Sequence, residues 1–197
     1  MSLFLSELGQ LIFYGTYAGI FLVTHFLLIL IRLRHSLPTK ARFGSGAKSI
    51  MLFGSLFFWV FVLVSVLFSY AGIGILPDWT YYLGLSTSIL GSVIWFWGHR
   101  TLGRYYSQAV VIYEGHQLVE RGPYRFVRHP SYTGLLLVYL GIGLAAQSWA
   151  GEIVTLLGPL LFATYRIPLE EKALIKEFGE QYIAYSRRVK RLIPFIY

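Results

Sequence analysis

The sequence predicts an all-α integral membrane protein of five transmembrane helices. Its N-terminus is expected outside and its C-terminus in the cytoplasm, with a helical hairpin formed by spans four and five and a C-terminal amphipathic helix. Three observations lead there. The chain is 56% hydrophobic and only 13% charged, with mean hydropathy +0.60, whereas soluble domains are about a quarter charged. Apolar runs at 11–31, 50–70 and 79–97 each approach the ~20 residues a helix needs to cross ~30 Å of hydrocarbon, and two further runs follow at 132–149 and 153–165. All 17 Lys and Arg residues fall in three segments, 32–49, 98–131 and from Arg166 onward. Five spans place those segments on one side, which the positive-inside rule makes cytoplasmic.

Taken in order, the N-terminus "MSLFLSELGQ" lacks a basic leader region, so the first run reads as a retained span and not a cleaved signal. Trp79, Tyr81 and Tyr82 at one end of the third run, and Trp95 and Trp97 at the other, suit the two membrane interfaces. The fourth and fifth runs are separated only by Ala150, Gly151 and Glu152, which reads as a tight hairpin between antiparallel neighbours. From Pro168, with Glu170 and Glu171 in a first turn, Leu174, Phe178, Tyr182, Tyr185 and Val189 recur at helical spacing. That pattern is an amphipathic helix lying against the membrane face. No repeat, low-complexity tract or linker divides the chain. Residues 1–98 read as scaffold and 99–197 as the chemical half of one structural unit.

Composition also excludes. There is no cysteine, hence no disulfide, thiolate metal site or cysteine nucleophile. No G-x-G-x-x-G or Walker pattern is present, so no Rossmann or P-loop nucleotide site is expected. His116 and His129 lack a third ligand nearby in sequence, and no metal is expected. The net charge of +8 points to anionic lipid headgroups and not to nucleic acid, because the cations flank apolar runs. No obligate protein partner is evident. His25 reads as a packing histidine, His35 and His99 as juxtamembrane loop residues, and the basic loop 32–49 as a featureless solvated segment.

Polar chemistry concentrates at two places. The stretch "EGHQLVERGPYRFVRHPSYTG", residues 114–134, ends where Pro130 and Ser131 open the fourth span. A helix N-terminus there presents unpaired N–H groups to an anion. Arg166 and Glu170 stand four apart just past the fifth run. They form either a surface ion pair worth a few tenths of a kcal/mol or a functional corner, since a cation at the membrane boundary needs an anion or must snorkel.

The ordered series "LGRYYS", "GHQLVERGPYRFVRHPSYTG", "EE" at 170–171, "EFGEQYIAYSRRV" and "LIPF" resembles the isoprenylcysteine carboxyl methyltransferase family, and its compact prokaryotic members in particular. That family sits within a broader group of small membrane methyltransferases that includes phospholipid methyltransferases. The resemblance spans about residues 102–194. It implies S-adenosylmethionine as methyl donor, leaving S-adenosylhomocysteine, with the active site on the cytoplasmic face. By motif position, His116, Gln117, Leu118, Val119, Tyr124, His129, Pro130, Ser131 and Tyr132 would line the cofactor. Glu170 would bind its cationic amino end, and Arg166 would face the acceptor. The implied acceptor is an isoprenylcysteine-like or other lipid-like carboxylate entering from the bilayer. A phospholipid amine is the alternative acceptor. An NADPH-dependent sterol-type reductase, which shares the Arg-His-Pro string, and a non-catalytic lipid-binding protein are the competing classes.

Overall fold

The computed structural model describes residues 3–34, 39–43, 47–107 and 110–194. It is predominantly helical: α1 (Glu7–Arg34), α2 (Ala47–Tyr70), α3 (Trp79–Leu102), α4 (Pro130–Ala145), α5 (Trp149–Phe178) and α6 (Glu180–Arg188). Two short strands, β1 (Thr39–Phe43) and β2 (Val110–Tyr113), pair antiparallel. Each of the five apolar runs lies largely within one of the helices α1 to α5. By length and hydropathy together, Glu7–Leu27 of α1 and Trp149–Phe178 of α5 are long and apolar enough to cross a membrane. Phe58–Tyr70 and α4 are shorter apolar helices. The 24 residues of α3 carry recurring Ser and Gly. Leu11, Leu22, Leu63, Leu90 and Leu161 stand exposed on the outer surface. Such a surface would associate in water but matches hydrocarbon chains.

The two ends of the bundle differ. At one, Leu3–Phe4, residues 73–78 and 146–149 are tied through Gln147, which is wholly buried. Its Nε2 donates to Asp78 Oδ1 at 2.9 Å, and its Oε1 accepts from the Phe4 amide at 2.7 Å. Lys and Arg are absent from those segments. The β-ribbon, the loop after β2 and the C-terminal segment gather at the other end, with all three basic segments.

Several sequence expectations shift. The basic loop 32–49 is not featureless, since Thr39–Phe43 forms β1; His35 lies outside the described residues. The hairpin turn falls at Ala146–Ser148 and not at 150–152. Gln147 takes φ +55° there, and Ser148 caps α5 by accepting the Gly151 amide at 3.0 Å. Trp149 therefore opens α5 instead of closing α4. The amphipathic tail helix does not start at Pro168. Instead α5 runs through Pro159 and Pro168 without a break, and Arg166 and Glu170 lie on one continuous helix. The break comes at Gly179, whose φ of +54° suits glycine, and only α6 remains as a separate amphipathic helix.

Helices α3 and α4 approach to backbone contact. Gly84 and Gly91 face Gly134 and Gly141: a Cβ on Gly91 would stand 2.6 Å from the Gly134 carbonyl oxygen, and one on Gly84 2.6 Å from that of Gly141. Small residues let the two backbones touch, which is how helices pack where lipid removes the hydrophobic drive. Tyr17 of α1 reaches Ser88 of α3 at 2.8 Å, and Ser65 of α2 reaches Thr155 of α5 at 2.6 Å, so each outer helix is hydrogen-bonded to this pair or its neighbour. In detergent, Gly91→Leu should lower unfolding stability by about 1–3 kcal/mol or more through overpacking. Gly15→Ala on α1, where nothing lies within 4 Å, should be neutral or stabilising. Equal melting temperatures for the two variants would contradict this packing.

Candidate active site

Two adjacent carboxylates on the basic-end half of α5 organise the site. Glu171 is buried, and its Oε1 accepts from Arg128 Nη2 at 2.7 Å and Nε at 2.9 Å. Its Oε2 accepts from Arg191 Nη2 at 2.8 Å. Arg128 Nη1 also donates to the carbonyls of Ser186 and Val189. One buried acid thereby clasps the loop before α4 to the segment after α6. The Arg128 amide to Lys190 O (2.7 Å), the His129 amide to Arg191 O (3.0 Å) and Thr133 Oγ1 to Leu192 O (2.8 Å) complete the seam.

Glu170 turns the other way. Its Oε1 accepts from the Tyr132 hydroxyl at 2.6 Å and lies 3.4 Å from Arg166 Nη2. His129, the residue before Pro130 at the start of α4, sits between both acids, with Nδ1 3.6 Å from Glu170 and Nε2 3.3 Å from Glu171. Burial alone would lower the His129 pKa, but the hydrogen bonds and charges of Glu170 and Glu171 outweigh it and raise the value. His116 has the opposite balance: burial lowers its pKa, and Glu177 offsets this only in part.

This polar cluster forms one end of a cavity of about 780 Å³. His116, Tyr124, His129, Ser131, Tyr132, Arg166 and Glu170 all line it. Gln117, Leu118, Val119 and Pro130 do not. Gln117 is exposed, Leu118 and Val119 are half-buried, and Pro130 packs in the first turn of α4 against Gly98. The other end of the cavity is apolar and aromatic and reaches Phe21 and His25 of α1 and Phe58 and Phe61 of α2. The scaffold helices thus contribute walls as well as support. His25 packs as expected, its ring 3.9 Å from Phe21 and Nδ1 2.9 Å from the Phe21 carbonyl.

His99 departs from its expected loop position. It lies in the last turn of α3, only 2% exposed, between Trp95 and Tyr106, with Nδ1 2.7 Å from the Trp95 carbonyl. It too lines the cavity. The signal for it was the four-residue spacing from Trp95, which continues α3 past Trp97. The clasp on Glu171 was also missed as a separate role. Its sequence signal was an acid beside Glu170 in a chain with only 9 Asp and Glu, which at a membrane boundary demands cations. Among the described residues no group of three or more His, Asp or Glu could hold a metal ion.

The residues fit a nucleoside-bearing cation. His116 stacks on Tyr105 with centroids 4.5 Å apart at 13°, and its buried Nδ1 has no hydrogen-bond partner among the described residues. The Glu170 carboxylate, a quarter exposed, offers the complementary negative charge.

Residues 83–176, from α3 through most of α5, match the model of the isoprenylcysteine carboxyl methyltransferase family. Protein-S-isoprenylcysteine O-methyltransferase B of Arabidopsis thaliana is 34% identical over 142 residues, covering 68% of this chain and 72% of that protein. The chain belongs to the isoprenylcysteine carboxyl methyltransferase family. A probable protein-S-isoprenylcysteine O-methyltransferase of Oryza sativa subsp. indica is 33% identical over 117 residues, covering 58% of this chain and 61% of that one. The fold is similar to that of the eukaryotic intramembrane Ras methyltransferase, with TM-score 0.71 and 24% identity over 98% of this chain and 70% of that one. Family membership makes this an integral membrane protein and a methyltransferase. The matched segment holds Arg128, His129, Arg166, Glu170 and Glu171 but stops before Arg191, so the clasp closes onto sequence outside the match.

Proposed function

We propose that this chain transfers a methyl group from S-adenosylmethionine to the carboxylate of an isoprenylcysteine-like or other lipid-like acceptor, at the cytoplasmic face of the membrane. The observation that carries this is the two-ended cavity. A guanidinium, a carboxylate, a phenol and an imidazole converge at its basic end, and aromatic and aliphatic side chains of α1 to α5 and β2 line the remainder. An anionic head with an apolar tail matches that polarity.

When bound, S-adenosylmethionine supplies a methyl group on a cationic sulfur, which an oxygen nucleophile displaces without proton transfer. The chain therefore needs no general base, because a carboxylate with pKa about 4 is ionised at neutral pH. Its own residues orient and desolvate. Glu170, held by Tyr132 and Arg166, offers a fixed negative charge to the cationic end of the cofactor. Arg166 is buried beside Phe162, with Cζ 6.0 Å from the ring centroid, and its planar fork suits both oxygens of an acceptor carboxylate. The apolar walls exclude the water that would otherwise solvate that carboxylate and blunt it as a nucleophile. Alignment and water exclusion account for the remaining acceleration. The guanidinium at the attack point would repel a protonated phospholipid amine, which disfavours that alternative.

In a folded Glu170→Gln protein, cofactor affinity should fall by about 10- to 100-fold, the equivalent of ~1.5–3 kcal/mol for a charge-assisted hydrogen bond. Arg166→Lys should leave cofactor affinity near wild type but cut methyl transfer at least about tenfold, since the two-point contact is lost. Calorimetric titration and a labelled-methyl assay read the two quantities. Unchanged cofactor binding in Glu170→Gln would place the site elsewhere.

The basic end is assigned to the cytoplasm on the one-sided distribution of Lys and Arg. A reporter fused after Tyr197 should be cytoplasmic, and one inserted near Ile75 external. The reverse pattern would overturn the orientation.

A further inference from the structure

The cavity stops part-way along each of the five long helices. Followed from the basic end, the last residue lining it is Ile20 on α1, Phe61 on α2, Ser92 on α3, Tyr139 on α4 and Gly158 on α5. About one turn further lie Tyr17, Ser88, Ile142 and Thr155, each 0% exposed, with Tyr17 and Ser88 hydrogen-bonded at 2.8 Å. Where the cavity stops, Phe61 meets Tyr139 edge-on, centroids 5.5 Å apart at 89°. The Phe61 ring also fills the notch left by Gly158, where a Cβ would stand 2.7 Å from its Cε2.

We propose that Phe61, seated in the Gly158 notch against Tyr139, is the floor of the acceptor site and sets the length of apolar tail the enzyme accepts. The inference rests on the reading of the acceptor as a carboxylate with an apolar tail. Gly158 precedes Arg166 by eight positions on one unbroken helix, about 12 Å of axial distance at ~1.5 Å per residue. An extended chain advances roughly 1.2 Å per bond, so about ten bonds separate the carboxylate from the floor. A cysteine thioether uses four of these before the tail begins. The remainder leaves about six bonds of tail in straight extension above the floor.

The two residues make opposite predictions. Removing the Phe61 ring deepens the slot. Adding a Cβ at Gly158 drives the ring into it and makes it shallower. Each methylene newly buried is worth about fourfold in affinity, so a change of one isoprene unit in the usable depth is readable.

The test uses the full-length protein in detergent with S-prenyl, S-geranyl and S-farnesyl cysteine carboxylates. It reads kcat/KM with labelled S-adenosylmethionine and, independently of turnover, the rise in melting temperature each compound produces. In the wild type, thermal protection should grow with tail length and level off once the tail reaches the floor. Phe61→Ala should raise the farnesyl-to-geranyl ratio of kcat/KM at least tenfold, with Phe61→Leu intermediate. Gly158→Ala should lower the geranyl-to-prenyl ratio. Cofactor affinity serves as the folding check for each variant, and Phe61→Leu carries the test if the alanine variant does not fold. Tail-length profiles of the Phe61 and Gly158 variants that superimpose on wild type would overturn the floor while leaving the proposed reaction intact. A protection cut-off that moves with Phe61 while no compound is methylated would establish the floor and overturn the reaction.

Discussion

Two neighbouring carboxylates where the membrane helix α5 emerges among loops are the constraint on which the rest of the site depends. Carboxylates shielded from water are costly unless cations and hydrogen-bond donors meet them. Adjacent helical positions point about 100° apart, so the pair cannot share one set of partners. Glu171 recruits Arg128 and Arg191, which pulls the post-α6 segment onto the loop before α4. Glu170 is met by Tyr132 and Arg166 at the cavity wall. His129 stands between them and ties the two halves. Architecture and chemistry are thus divided between successive residues. One carboxylate is spent entirely on structure, and the other remains a quarter exposed toward the cavity.

The cavity exists because the rest of the bundle is packed so closely. The glycine contact between α3 and α4 brings those helices into backbone contact, while aromatics of α1 and α2, among them Phe21, Phe58 and Phe61, line the cavity. The same helices are sealed beyond Tyr139 and open before it. A single sequence of small and large residues along each helix therefore determines both where the bundle is solid and where it is hollow. Pro159 and Pro168 do not interrupt α5, and this continuity puts Arg166 and Glu170 on one helical face beside the cavity.

Much of this was legible in the sequence. The apolar runs gave the long helices, and the confinement of Lys and Arg to three segments anticipated the two unlike ends of the bundle. The Arg166–Glu170 spacing and the Arg128–Tyr132 string marked residues that do meet in space. Other features were hidden for physical reasons. Ser148 is a strong N-cap, but inside the apolar stretch around Trp149 its capping signal was masked, which displaced the hairpin turn. Proline at 168 reads as a helix start in isolation, yet tertiary contacts on both sides of it keep α5 continuous. The β-ribbon joins segments far apart in sequence, so no local pattern announces it. The division of labour between Glu170 and Glu171 depends on which way each side chain turns, and periodicity alone did not specify its partners.

The chemistry asked of the chain is modest. With an activated methyl donor and an ionised acceptor, the protein has only to neutralise, align and keep dry, and a handful of polar residues at the mouth of an apolar slot suffices. The atom that receives the methyl group tests this most directly. Protein incubated with methyl-labelled S-adenosylmethionine and a lipid thioether carboxylate should yield product whose label is released as methanol by mild alkali, the behaviour of a carboxyl methyl ester. Label that survives alkali on nitrogen or sulfur would contradict a carboxylate acceptor held by Arg166.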